Sequence, residues 1–290
     1  MHQARWAAHR LRIGLLILMA ALAPISLTGC TTAVYNRLDT LAGWYLQSLV
    51  SLDPAQREEL HDWLSETLAW LRRSELNRYA GFLRDVSSEL AQPGTADTYQ
   101  RIEQRFRGFL EDLAAKTTPD AARLLMSLSP TQVDELFSNL ATKTRERAEK
   151  HPTTAQWRQD EVKDLTKQLK RWTGSVSDAQ ESLIEAAVAH LEPTNAAWPA
   201  SQQAWRDAVQ RALVDSSSRA AAAANIQQLL AHPYSQWTAD YTELRQRNRK
   251  RYLELAASLD ASLSSQQRER LRAELLKLAQ QLAKIAEDRT

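Results

Sequence analysis

The 290-residue sequence carries 37 Lys and Arg against 35 Asp and Glu, with 43% hydrophobic and 25% charged residues. That much apolar material argues against a chain disordered throughout, and the small net charge excludes a globally basic protein and so gives no argument for nucleic-acid binding. The single cysteine, Cys30, excludes a disulfide within the chain.

The chain opens with a positive stretch (Arg5, His9, Arg10, Arg12), an apolar run from Ile13 to Ala23, and small residues at Ser26, Thr28 and Gly29. In order and polarity this is a secretory signal peptide. A spanning helix needs about 20 apolar residues, and here Pro24 interrupts the run. Leu27, Thr28, Gly29 and Cys30 resemble a bacterial lipobox. The resemblance implies that Leu27, Thr28 and Gly29 form the signal peptidase recognition sequence. It further implies that the Cys30 thiol takes up a diacylglyceryl group, that cleavage makes Cys30 the new N-terminus, and that an N-acyl chain is added. One acyl chain anchors marginally, whereas two or more hold stably. The alternative is an unmodified thiol. The expected organisation is therefore a leader at 1–29, a lipidated cysteine and short tether at 30–34, and a helical domain at 35–290. Three of the 37 basic residues and no acid lie in the leader, which leaves 34 basic against 35 acidic residues from Cys30 onward. Thr31 is not the aspartate associated with inner-membrane retention, so the same resemblance implies the periplasmic face of the outer membrane rather than the inner membrane.

From Leu52 onward apolar residues recur at helical spacing: Leu60, Trp63, Leu64, Leu68 and Leu71, then Ile102, Phe106, Phe109, Leu110 and Leu113, and finally Leu271, Leu275, Leu278, Leu282 and Ile285. No run alternates as a strand would. The spacing predicts an all-α domain of roughly ten to twelve helices, from stripes of three to four turns each. Glu58, Asp62 and Glu66 are spaced to line the side opposite the first stripe, and a solvated face is expected there. Loops are expected at 91–97, 151–155 and 192–201, where proline and small polar residues gather. Trp172 closes a helix striped by Val162, Leu165 and Leu169, and Gly174 stands where a helix stop belongs.

One pattern occurs four times: LDPAQ from Leu52, LSPTQ from Leu128, VSDAQ from Val176 and LSSQQ from Leu263. In each, Asp53, Ser129, Ser177 or Ser264 is placed to cap a helix, with Gln56, Gln132, Gln180 or Gln267 three residues on to bond back. As caps alone, these boxes predict a cost of about 1 kcal/mol for Ser129→Ala and less for Gln132→Ala. The boxes also resemble the L-T-x-x-Q signature of small helical periplasmic chaperones, over five residues at a time.

The densest basic run, Arg245 to Tyr252, offers Arg245, Arg247, Arg249, Lys250 and Arg251 as a contact for an anionic surface. Stems covering the edge of the core, with Glu243 paired to Arg247, are the alternative. The histidines His61, His151, His190 and His232 are too dispersed for a local metal motif, and no nucleophile elbow or phosphate loop is present. No catalytic residue, metal ligand or cofactor is expected beyond the acyl groups on Cys30.

Five blocks, Ala33 to Leu60, Trp70 to Leu83, Ala122 to Leu136, Lys167 to Gln180 and Leu263 to Leu275, resemble in order a proteobacterial lipoprotein family classified only as a domain of unknown function. The resemblance implies an all-helical, envelope-anchored protein and brings no catalytic residues; Leu71 departs from it where a histidine is expected. The functional expectation is a non-enzymatic binding protein of the cell envelope, with the membrane and an envelope protein or cell-wall polymer as partners and no nucleic acid. A chaperone and a cell-wall or lipid hydrolase are the alternatives.

Overall fold

The computed structural model describes residues 35, 37–150, 153–214 and 218–288. Cys30 and the Leu27, Thr28 and Gly29 that precede it lie outside them, as does His151.

The described residues hold eleven α-helical segments and no strand. They are α1 Leu38–Gln47, α2 Pro54–Trp70, α3 Leu76–Glu89, α4 Ala96–Ser127, α5 Pro130–Ala148, α6 Thr154–Thr173, α7 Asp178–His190, α8 Trp198–Val214, α9 Arg219–Ala231, α10 Ala239–Ala261 and α11 Ser265–Glu287. The all-α class and the helix number agree with the spacing. None of these helices is long and apolar enough to cross a membrane.

Helix α2 runs into α3 through a single π turn at Leu71–Glu75. The widened turn shifts the helical phase, so the buried side is taken over by Leu76, Ala80, Leu83 and Val86 of α3. Leu71, the departure from the resembling family, opens this turn. Helix α4 has 32 residues, about 48 Å at 1.5 Å per residue, and continues past Pro119. That proline removes one intrahelical N–H. The first half of α4 inserts Tyr99 and Ile102 into a large core built with α3, α6, α7, α10 and α11. Its second half inserts Ala122 and Leu125 into a smaller core with Phe137 of α5, Val209 of α8 and Ile226 of α9. One helix thus bridges two apolar centres. Helix α11 packs along α3, and the close approach is made with small residues, Ala80 and Ala279 being fully buried.

Helix ends obey local chemistry. Gly174 stops α6 with φ 83°, in the left-handed region that favours glycine. The expected loop at 192–201 is shorter than its composition predicted: α8 begins at Trp198 with Pro199 in the first turn, where its missing N–H costs nothing.

Candidate functional site

All four boxes cap helices as their spacing predicts: Asp53, Ser129, Ser177 and Ser264 each accept from the backbone of the glutamine three residues on, which bonds back. What the spacing does not reveal is that the boxes meet in pairs. The Gln56 and Gln132 amides, 76 positions apart, exchange hydrogen bonds of 3.1 and 2.7 Å. Those of Gln180 and Gln267, 87 positions apart, exchange bonds of 3.0 and 2.9 Å. Each side-chain nitrogen also donates to a backbone carbonyl near the opposite box, at Ser127, Ser51, Ser262 or Ser175. An amide has two donors and two acceptor sites. In all four glutamines every one is used inside the domain, which leaves none for a client. Gln132 ties two helix starts together while Ser129 serves one, so with the pairing in place Gln132→Ala is expected to cost more than Ser129→Ala.

The basic run has internal carboxylate partners. Arg247 grips Glu192 with two bonds of 2.9 Å, Arg251 adds a third at 3.1 Å, and Arg249 pairs with the buried Glu103 at 2.6 Å. Glu243 reaches Arg247 at 3.7 Å, Lys250 reaches Glu254 at 4.0 Å, and the Arg245 guanidinium lies 5.4 Å from the Trp237 ring centre. Arg247, with Arg251, holds the Glu192 carboxyl down at about 2. Because that folded value is below the ordinary one, the pair's stabilisation is present above pH 4.5 and fades as pH falls towards 2. The expected result is that the melting-temperature gap between the wild type and Glu192→Gln, measured from pH 7 to pH 3, narrows below pH 4.5 and shrinks with added salt, since Glu192 is partly exposed. A pH-independent gap would refute the assignment.

Two further buried carboxylates, Asp260 and Glu161, are likewise engaged. Asp260, with a 2% exposed side chain, accepts from Arg268 and from the Gly94 amide, both at 2.6 Å. Tyr252 donates to buried Glu161 at 2.5 Å. Glu58, Asp62 and Glu66 were expected on a solvated face, and all three are exposed. His61 and His190 are exposed and far apart in the chain, and His232 contacts the Tyr234 hydroxyl at 2.7 Å. The described residues contain no group of three or more His, Cys, Asp or Glu able to hold a metal ion.

Two open grooves flank α8. On one side an open groove of about 660 Å³ runs between α8 and α9, lined by Ala208, Arg211, Asn225, Gln228 and His232 among others. On the other side a second groove, about 750 Å³, separates α8 from α5 and the 195–196 segment, with Thr144, Arg145, Asn195, Gln203 and Arg206 in its lining. Arg206 is only 6% exposed. Its guanidinium bonds the Gln203 amide at 2.6 Å and the Thr144 hydroxyl at 3.4 Å, both neutral groups. Burial pulls its pKa below the ordinary arginine value, against the opposing charge of the adjacent Asp207. Sequence reasoning passed over Arg206, because one arginine on an amphipathic helix carries no signal until its neighbours are known.

No curated protein and no solved structure matches the chain. A family model described as a family of unknown function, DUF6279, matches residues 48–242, from the end of α1 into the start of α10. With two thirds of its length so matched, and with helices of both cores inside that span, the chain belongs to the family of unknown function DUF6279.

Proposed function

We propose that the protein is a lipoprotein anchored at the periplasmic face of the outer membrane, where it acts as a non-enzymatic binding protein and holds an envelope protein or cell-wall polymer along α8. The observation that carries the binding role is the pair of open grooves flanking that helix, one containing a buried guanidinium bonded by neutral groups. An anionic group entering there pairs with the Arg206 guanidinium in an ion-to-ion hydrogen bond, stronger than its present bonds to the neutral Gln203 and Thr144 oxygens. Alanines along both grooves leave room for an extended chain against the helix. Support for the anchor is the sequence Leu27 to Cys30 behind a basic and apolar leader.

Two measurements test the two halves. Metabolic labelling with a palmitate analogue is expected to mark the wild type and not Cys30→Ser, and equal labelling of both would sink the anchor. Photo-crosslinking residues placed in intact cells at Gln203 and Gln228, one in each groove, are expected to capture one discrete species, while a crosslinker at Glu254, exposed on α10, captures none. Equal adducts at all three positions, or turnover of cell-wall polymer or lipid by the purified chain, would overturn the binding reading.

A further inference from the structure

Four of the large apolar residues exposed in the described chain crowd onto the ten-residue helix α1: Leu38 at 37%, Leu41 at 42%, Trp44 at 66% and Tyr45 at 46% exposure. The others, Leu110, Val214, Tyr234 and Leu276, lie one each on four different segments. On α1 the four occupy positions i, i+3, i+6 and i+7, one contiguous helix face. The opposite face is committed to the domain: Gly43 is buried near Leu64 of α2, and Leu46 packs on the small cluster of Val50, Leu52 and Leu60. A scattered exposed leucine is ordinary, whereas a contiguous apolar face marks something that covers it.

We infer that this face of α1 lies in the headgroup region of the lipid bilayer, as a second attachment beside the acylated cysteine. Three observations select lipid over other occupants. The first is reach. Seven residues separate Cys30 from Leu38, and chain geometry caps that span at about 28 Å, so a bilayer holding the acyl chains is within touching distance of α1. The second is composition. Trp and Tyr with leucines on one face suit the boundary between headgroups and acyl chains, where an amphipathic ring keeps its polar edge wet. The third is charge. Exposed Arg37 directly precedes the helix, and the Lys143 amine stands 5.4 Å from the Tyr45 ring centre, so cations border the face where lipid phosphates would lie.

This inference rests on the lipoprotein reading for its reach, and the test separates the two. In a chain acylated at Cys30, Trp44→Cys provides the one free thiol for a nitroxide label, because Cys30 is the only cysteine. Collision of the label with oxygen and with a water-soluble nickel chelate is then measured in isolated membranes, with Glu254→Cys as the exposed control. An oxygen preference several-fold above the control is expected at position 44. An acylated chain whose position 44 matches the control refutes the interfacial helix and leaves the anchor standing. Strong dipolar coupling between labels at position 44 without an oxygen preference identifies a second copy as the occupant and also refutes it. If palmitate labelling shows no acylation, the anchor fails. The full chain carrying Cys30→Ser and Trp44→Cys, mixed with vesicles of phosphatidylethanolamine and phosphatidylglycerol, then decides the helix by the same oxygen-to-nickel comparison.

Discussion

Replacing Asp260 by alanine is expected to destabilise the domain by about 3–5 kcal/mol, the usual penalty for stranding one member of a buried ion pair. The carboxylate sits at the end of α10 and accepts from two other segments at once. Arg268 bonds its Oδ1 at 2.6 Å, the Gly94 N–H donates to its Oδ2 at 2.6 Å, and the same arginine reaches the Asp260 and Leu90 carbonyls at 2.6 and 3.1 Å. The α3–α4 loop and the α10–α11 turn are thereby held together. Removing the carboxylate leaves a guanidinium whose side chain is 12% exposed facing backbone carbonyls alone. For a domain of this size, roughly 10 °C of melting temperature should disappear. Asp260→Asn keeps an acceptor for Gly94 and should recover part of the loss. Thermal unfolding of both variants checks this, and a drop under about 1 kcal/mol for Asp260→Ala would contradict the burial argument.

The second large effect is expected at the Gln180 and Gln267 clasp. Ser264→Ala removes one cap acceptor and should cost about 1 kcal/mol. Gln267→Leu removes more, because it leaves the Gln180 amide, 1% exposed, without its cross-partner and frees the Ser175 carbonyl. Unsatisfied buried groups cost about 1–3 kcal/mol each, so a total of about 3 kcal/mol is expected. Replacing both glutamines by leucine should cost clearly less than the two single losses added, since no orphaned amide remains; a coupling of about 1 kcal/mol or more in the double-mutant cycle is expected. Additive losses would mean that the two amides do not act as one unit. The Gln56 and Gln132 clasp should obey the same rule with smaller values, because Gln132 is only partly buried and water can replace a lost partner.

The positions where helices start and stop were determined by local sequence. Asp53, Ser129, Ser177 and Ser264 with their glutamines, Pro54 and Pro130 at first helical positions, and Gly174 after Trp172 all act within one turn of themselves. Short-range chemistry of that kind needs no knowledge of the fold. Helical spacing likewise determined the all-α class, because a 3.6-residue period survives whatever the helix packs against. Tertiary structure alone decided which boxes meet, since a glutamine cap looks the same with or without a second amide 76 or 87 positions away. It also decided which arginines are neutralised. Arg247 and Arg249 find Glu192 and Glu103 from distant segments, while Arg206 is buried against neutral groups beside a groove. Exposure obeyed the same logic. Leu38, Leu41 and Trp44 carry the same periodic signal as a core stripe, and only the packing of α1 on α2 through its opposite face left them turned outward, because periodicity specifies that a face is apolar but not what will cover it.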